Sequence, residues 1–416
     1  MEVIIGNTPQ TGIALAFVGC VVPDEPQYHS TAFSRAGNMF QINLLTSIRD
    51  AGIPVSTVIS PIPIQSWPCG RPLFVRSTKY CLEDGTRVDS LAFVNIPLVK
   101  QLMIGLAVLR RLLTWGWRSR KCRARVVCTF NLSVPPGVFT LVAARLIGAR
   151  AVAHLTDINI PGETVPKSPL FRLDYQLQRW LMPRFDGLVV VSDAIVRDFG
   201  LRVPHIRVEG GVRESVFPGI APRMDSADFV IVSAGSLDEP NGFSVLLQAF
   251  SKLRGDHYRL RIAGAGPLEA EVRRAAAQDS RIEYCGYLAF EEVLRLYASA
   301  DVLINLRLTK SVNTKYFFPS KLMDYLASGR PVITTCTGHV EEEFGQFTFL
   351  VREETPEALA AAIQDVERLG KDARERKGAM ARDYMMANKT WSAQGRRVVR
   401  LIESLVAAKR VAVGVI

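Results

Sequence analysis

No apolar run in this 416-residue chain reaches the roughly 18 residues that a bilayer-crossing helix needs; Leu102–Leu109 stops at Arg110-Arg111. An integral helical membrane protein is therefore not expected. Histidine is scarce, with five in all, and the seven cysteines (Cys20, Cys69, Cys81, Cys122, Cys128, Cys285, Cys336) include no Cys-x-x-Cys pair. No zinc-ligand spacing results, and the thiols read as reduced and the protein as cytosolic. A Walker-type Gly-x4-Gly-Lys-Ser/Thr is missing, as are a Gly-x-Gly-x-x-Gly after the first strand and an isolated Asp-x-Asp for a metal–diphosphate. Met1-Glu2-Val3-Ile4-Ile5 carries no cationic leader, so Gly12–Val22 is expected to be a first buried strand rather than a signal peptide. Acidic residues are absent from residues 101–150, which hold nine Arg and Lys.

What is present is a packed composition, 48% hydrophobic and 22% charged, with length for two to three domains. The net charge of +11 is unevenly spread. Residues 1–220 carry 24 Lys+Arg against 15 Asp+Glu, whereas residues 221–416 carry 27 against 25. The first half is thus expected to face an anionic partner. Within it, Lys100, Arg110, Arg111 and Arg118 share one helical arc of about 100°. Leu102, Leu106, Leu109 and Leu113 occupy another, with Trp115 and Trp117 near the end. This pattern predicts a basic amphipathic helix, the Leu face inward and the Arg face toward anionic lipid, giving peripheral membrane contact through residues 98–125. The alternative is a helix whose basic face is simply solvated. Nucleic acid is not expected as a partner, because the basic patch is too local.

Short apolar runs alternate with helical patterns, the signature of parallel α/β architecture. Strands are expected at Ile13–Cys20, Val55–Ile59, Arg125–Phe130, Ala151–His154, Gly187–Val191 and His205–Glu209. Helices are expected at Arg35–Ala51, Val99–Trp117, Gly137–Ile147 and Phe171–Met182, and residues 60–96 read as an insertion with little regular structure. After a linker-like stretch, Glu214–Asp228, strands recur at Phe229–Ala234, Arg259–Ala263, Ile282–Tyr284, Val302–Leu306, Pro331–Thr334 and Thr348–Val351. Two doubly wound, Rossmann-like domains facing across a cleft are expected: residues 1–218, residues 219–390, and a last helix at 391–416 that returns to the first. In open parallel sheets ligands bind beyond the carboxyl ends of the strands.

Phe318-Pro319-Ser320-Lys321-Leu322-Met323-Asp324 opens a helix at about Ser320, whose free N–H groups and positive dipole end suit an anion. Lys321 in the first turn opposes that dipole, which makes sense if a phosphate neutralises it. Asp324, about one turn on, is placed to accept hydrogen bonds from vicinal ribose hydroxyls. An ordinary surface helix is the alternative.

Residues 229–370 resemble the donor-binding domain of GT-B glycosyltransferases, specifically the large family 4 of retaining enzymes. The matching pieces are Ser233-Ala234-Gly235-Ser236-Leu237 with Asn241-Gly242, Ile262-Ala263-Gly264-Ala265-Gly266-Pro267, Cys285-Gly286-Tyr287-Leu288, Leu296-Tyr297-Ala298-Ser299-Ala300-Asp301-Val302, and the Ser320 helix. In the first half, Ala36-Gly37-Asn38-Met39-Phe40-Gln41, Asp186-Gly187-Leu188-Val189-Val190-Val191-Ser192-Asp193 and Glu209-Gly210-Gly211-Val212 are also similar to the family. The resemblance implies a metal-independent retaining glycosyltransferase without a cofactor, taking a UDP- or GDP-linked sugar and a glycan or lipid-linked acceptor. It implies donor contacts at Gly235, Ser236, Asn241, Gly264, Tyr287, Tyr316, Ser320, Lys321 and Asp324. It implies acceptor-side contacts at His29, Gly37, Asn38 and Asp157, and a catalytic role for His154 at its strand end, where a neutral imidazole or its backbone carbonyl stabilises charge at the sugar. Surface polysaccharide assembly at the inner face of the membrane is the expected setting.

The chain departs from the family at three positions. Tyr316 stands where the family has its first Glu, and Ser236 and Asn241 stand where it has an Arg and a Lys beside the diphosphate. Lys321, with Arg35 or Arg307, is expected to take over the leaving-group role. Two other classes stay open: a degenerate member acting as a binding or scaffolding subunit, and a sugar-nucleotide epimerase or phosphorylase on the same fold.

Overall fold

The computed structural model describes residues 12–28, 33–132, 134–217, 227–310 and 313–408. They divide into two compact units, one running to Glu209 and resuming at Trp391, the other spanning Gly210–Thr390.

The first unit is built on an eight-stranded sheet. Its strands lie in the order His205–Arg207, Gly187–Val190, Arg150–Leu155, Ala124–Phe130, Ile13–Val18, Val55–Ser60, Arg87–Ser90 and Lys79–Cys81. All pairs are parallel except the last. The runs at Ile13–Val18 and Gly187–Val190 are buried on both faces, as parallel strands covered by helices must be, whereas His205–Arg207 at the sheet edge is partly exposed. Helix Trp391–Ala407 belongs to this unit, placing Val398, Leu401, Ile402 and Leu405 in the same core as Leu15, Phe17 and Ile48. The segment 60–96 is more ordered than its composition suggests. Two of its strands extend the main sheet, and Phe74–Val75 pairs with Phe93–Val94. Asn95 explains the rest: its buried side-chain amide donates to the carbonyls of Gln65 and Gly70, a tie that no periodicity reveals.

The second unit carries a six-stranded, wholly parallel sheet in the order Ile282–Gly286, Tyr258–Ala265, Phe229–Ser236, Val302–Asn305, Val332–Thr335, Phe349–Val351. Numbered along the unit this is 3-2-1-4-5-6, so the order reverses between Phe229–Ser236 and Val302–Asn305. The crevice beyond the carboxyl ends at such a reversal is where open α/β sheets take ligands. The first unit reverses likewise, between Ile13–Val18 and Ala124–Phe130.

The basic helix Val99–Arg118 differs from its expected orientation. Ile104, Val108, Leu112 and Trp115 are buried, whereas Leu102, Leu106 and Leu113 are exposed. Lys100 is not on a basic outer face at all: it is buried, donates to the Ile64 carbonyl and lies 5.4 Å from the Phe93 ring centre.

Candidate functional site

In the second unit, sequence-predicted residues converge where the strand order reverses. Gly235 sits at the end of Phe229–Ser236 with φ +147°, and a Cβ there would land on the Lys321 amine. Gly264, at the matching position of Tyr258–Ala265, has φ +138° and no room for a Cβ against the Gly235 carbonyl. The two glycines therefore let the strand ends close up while Lys321 folds back over the Gly235 backbone.

Lys321 enters from helix Ser320–Ala327, whose first N–H groups have no partner within the helix. Pro319 caps it without a side-chain hydrogen bond, and Ser320 is exposed. Burial pulls the Lys321 amine down to about 8, the Asp238 carboxylate opposing and the Arg307 guanidinium reinforcing that shift. Arg307 follows strand Val302–Asn305, its backbone exchanging hydrogen bonds with Thr335 Oγ1. Its Nη1 donates to Asn241 Oδ1 at 3.0 Å, its guanidinium stacks 4.8 Å from the Phe317 ring centre, and its buried Nε has no partner among the described residues. Burial lowers this guanidinium too. Neither cation makes an ion pair with a described residue. Two desolvated cations near one another are costly unless something anionic joins them.

Asn241 is itself fixed: its Nδ2 donates to Asp238 Oδ1 (2.7 Å) and to the Ser236 carbonyl (3.0 Å). Ser236 Oγ donates to Asp238 Oδ2 at 2.7 Å. Ser236 and Asn241 thus form a scaffold around Asp238 that presents Arg307. Asp238 escaped the sequence reading, although an Asp three residues before Asn241 is a turn-capping signal.

One helical turn beyond Lys321, Asp324 is pushed up to about 6 by burial, with the Arg213 cation pulling it back. Its neighbour Tyr325 is fully buried, accepting from the Ala234 N–H at 2.8 Å and packing on Tyr297. That anchor pins the helix to the strand carrying Gly235. Tyr287 is 74% exposed, and Tyr316 lies beside Lys315, whose amine is 5.9 Å from its ring centre.

In the first unit, His154 on strand Arg150–Leu155 has no solvent exposure, and burial pushes it down to about 3. It is a neutral imidazole at any ordinary pH. Among the described residues neither ring nitrogen has a hydrogen-bond partner, although the ring packs edge-on to Phe17 at 6.2 Å. The His154 carbonyl accepts from the Asn131 N–H at 2.7 Å, which ties this strand end to the loop after Ala124–Phe130. Asn131 was not singled out from sequence. It adopts φ +54°, a region where Asn is enriched, and its Oδ1 accepts from the N–H groups of Thr156 and Asp157. Its Nδ2 donates to Asp157 Oδ2 at 3.2 Å, which holds this exposed carboxylate at the strand ends.

Gly37 and Asn38 are occupied by structure. The Gly37 N–H donates to Ser34 Oγ, the cap of helix Arg35–Asp50. Asn38 is buried and clamps Val22 through both side-chain atoms, and Gln41 does the same for Cys20. Together they fasten the loop after the first strand. Arg35, a suggested diphosphate cation, is ion-paired with Asp24 at 2.7 Å. His29 lies outside the described residues.

The second unit resembles known proteins in sequence, and the chain resembles solved structures in fold. Residues 228–368 match the model of the family described as glycosyl transferases group 1. The putative colanic acid biosynthesis glycosyltransferase WcaL of Salmonella typhimurium is 29% identical over 182 residues, covering 42% of this chain and 45% of that protein. The amylovoran biosynthesis glycosyltransferase AmsK of Erwinia amylovora is 30% identical over 141 residues, covering 32% and 34%. The alignments thus span less than half of these relatives. Among solved structures, Anabaena HepE in complex with UDP superposes with TM-score 0.65 at 15% identity, covering 94% of this chain and 99% of that one. A glycosyltransferase from Rickettsia africae gives 0.66 at 16%, covering 95% and 99%. The chain therefore has the GT-B fold and carries, in its second unit, a domain of the group 1 glycosyltransferase family.

Proposed function

We propose that the chain transfers a glycosyl group from a nucleoside diphosphate sugar, with retention of configuration, to a lipid-linked or polysaccharide-precursor acceptor. The observation that carries this reading is the pair Lys321 and Arg307 at the sheet reversal of the second unit. Both are desolvated cations without an ion pair among the described residues, and they stand beside a free helix N-terminus. This is the equipment for a leaving diphosphate at a position where the family's usual Arg and Lys are Ser236 and Asn241. As the bond from the anomeric carbon to the phosphate oxygen breaks, negative charge grows on that oxygen. Lys321 and Arg307 meet the charge as fixed cations, so no metal is required for it. The acceptor hydroxyl forms the new bond to the anomeric carbon and gives its proton to the departing phosphate. Asp324 accepts from the ribose hydroxyls.

The acceptor is assigned to the first unit, near the strand ends that hold His154 and Asp157. An imidazole that burial holds neutral near pH 7, without a partner among the described residues, offers hydrogen bonding without adding charge. The setting is polysaccharide assembly, the process named for WcaL and AmsK, at the inner face of the membrane. The donor is UDP-linked, by analogy with the UDP complex of HepE.

Thermal-shift titration with UDP, GDP, ADP, CMP and their sugars tests the reading. A nucleotide at about 100 times its Kd adds roughly 2.7 kcal/mol of stability. One clear shift, abolished in Asp324→Ala, is the expected result. No shift with any nucleotide overturns it in favour of the scaffolding subunit that Tyr316, Ser236 and Asn241 keep open.

A further inference from the structure

Helix Val99–Arg118 has two apolar faces, and only one of them is used. At 100° per residue, Ile104, Val108, Leu112 and Trp115 fall within about 80° and are buried in the first unit. Leu102, Leu106, Leu113 and Trp117 fall within about 60° on another side. These four are 48%, 49%, 37% and 66% exposed. A helix that only covered a sheet would place polar residues there. The ridge continues at the helix start, where Ile96, Leu98 and Val99 are exposed.

The charge around this ridge selects its occupant. Residues 90–156 contain no acid and ten Lys or Arg, of which Lys100 is buried and Arg145 and Arg150 pair with Asp186. Arg110, Arg118 and Arg120 are exposed along the helix and just beyond it, and the Arg120 guanidinium lies 4.4 Å from the Trp117 ring centre. A second copy would set cation against cation across the ridge. Nucleic acid would leave the leucines without a partner. An anionic bilayer satisfies both features: leucines enter the acyl boundary, tryptophan sits at the headgroups and arginines meet the phosphates. No helix among the described residues is long and apolar enough to cross the membrane, so the contact is peripheral.

We infer that the Leu102–Leu106–Leu113–Trp117 ridge docks the first unit on the surface of an anionic lipid bilayer. The leucines make the contact and the arginines select the charge, which reverses the orientation expected from sequence. This inference stands apart from the sugar-transfer reading, because it uses no residue of either candidate site.

Co-sedimentation of the full chain with vesicles of phosphatidylcholine, with and without phosphatidylglycerol, tests it. The unaltered protein should sediment with the phosphatidylglycerol vesicles, much less with phosphatidylcholine alone, and be released by salt. Leu106→Ser with Leu113→Ser should weaken partitioning about tenfold per leucine. Leu170→Ser, at an exposed leucine of another helix, should leave it unchanged. Melting by circular dichroism should match in all three proteins. Absence of vesicle binding overturns the inference, as does binding that ignores the leucine pair. Self-association that vanishes in Leu106→Ser with Leu113→Ser would identify a second copy as the occupant and equally overturn it.

Discussion

Removing the charge of Lys321 should make the protein more stable and a poorer nucleotide binder at once. The unliganded chain holds this amine at about 8 against an ordinary 10.5, chiefly because burial disfavours the ammonium. At 1.36 kcal/mol per pH unit the gap corresponds to about 3 kcal/mol. The side chain is half-buried, so solvent screening reduces this to about 1–2 kcal/mol. The folded-state value lies below the unfolded one. Between about 8 and 10.5 the unfolded chain therefore binds more protons, and stability rises with pH across that window. At pH 7 the ammonium is present in both states and its full penalty is felt. Lys321→Met keeps the stem over Gly235 and deletes the penalty. For a unit of this size the melting temperature should rise by about 2–8 °C at pH 7, and the gain should disappear above pH 10.5.

The same substitution removes a charge-assisted hydrogen bond to phosphate, worth about 1.5–3 kcal/mol, so the Kd for UDP should rise about 10- to 150-fold. The unaltered protein should hold constant affinity below about pH 8 and lose it above, whereas Lys321→Met should lack that limb. Scanning calorimetry from pH 6 to about 11, with and without UDP, reads both quantities. A Lys321→Met protein that is less stable at pH 7 and keeps its UDP-induced shift would refute the assignment of this amine to an anion.

Asp324 has the opposite sign. Its folded value, about 6, lies above the usual 3.8, so its contribution to stability falls as pH rises between the two. Asp324→Asn should flatten that limb and weaken nucleoside binding above pH 6, which calorimetric titration with uridine would show. His154→Phe removes two unpartnered ring nitrogens from a fully buried site; melting should change by less than about 1.5 kcal/mol, while glycosyl transfer falls about 100-fold or more. If turnover survives, His154 is only packing. Asn38→Ala strands the Val22 N–H and carbonyl in the core and should cost about 1–3 kcal/mol by urea melting, without changing the Kd for UDP.

The parts that could be read from sequence are those set by local periodicity. Buried strands such as Ile13–Val18 and Val332–Thr335 announce themselves as β-branched and aliphatic runs between turn signals, and Ser320 and Gly329 bracket a helix through capping preferences. The convergence of Gly235, Asn241 and Lys321 was also legible, because each sits at the end of an element whose place in a parallel sheet is constrained. Periodicity fails where one side chain satisfies distant backbone. Asn95 ties down a segment that reads as irregular, and Asn38, which reads as an acceptor-side contact, is committed to Val22, as Gln41 is to Cys20.

Periodicity also cannot tell which of two apolar arcs on one helix is inward. Helix Val99–Arg118 carries Leu102, Leu106 and Leu113 on one arc and Ile104, Val108, Leu112 and Trp115 on the other, and either could cover a sheet. The choice is made by partners far along the chain: Trp115 Nε1 donates to Ser56 Oγ at the edge of strand Val55–Ser60, and Lys100 reaches the Ile64 carbonyl. Burying the other arc would forgo both of these hydrogen bonds. The inward arc therefore wins on its polar partners as well as on apolar area, and the leucines are what remains outside. A surface ridge of this kind is thus a consequence of how the core was chosen, and its persistence beside the exposed Arg110, Arg118 and Arg120 is the part that a functional partner has to explain.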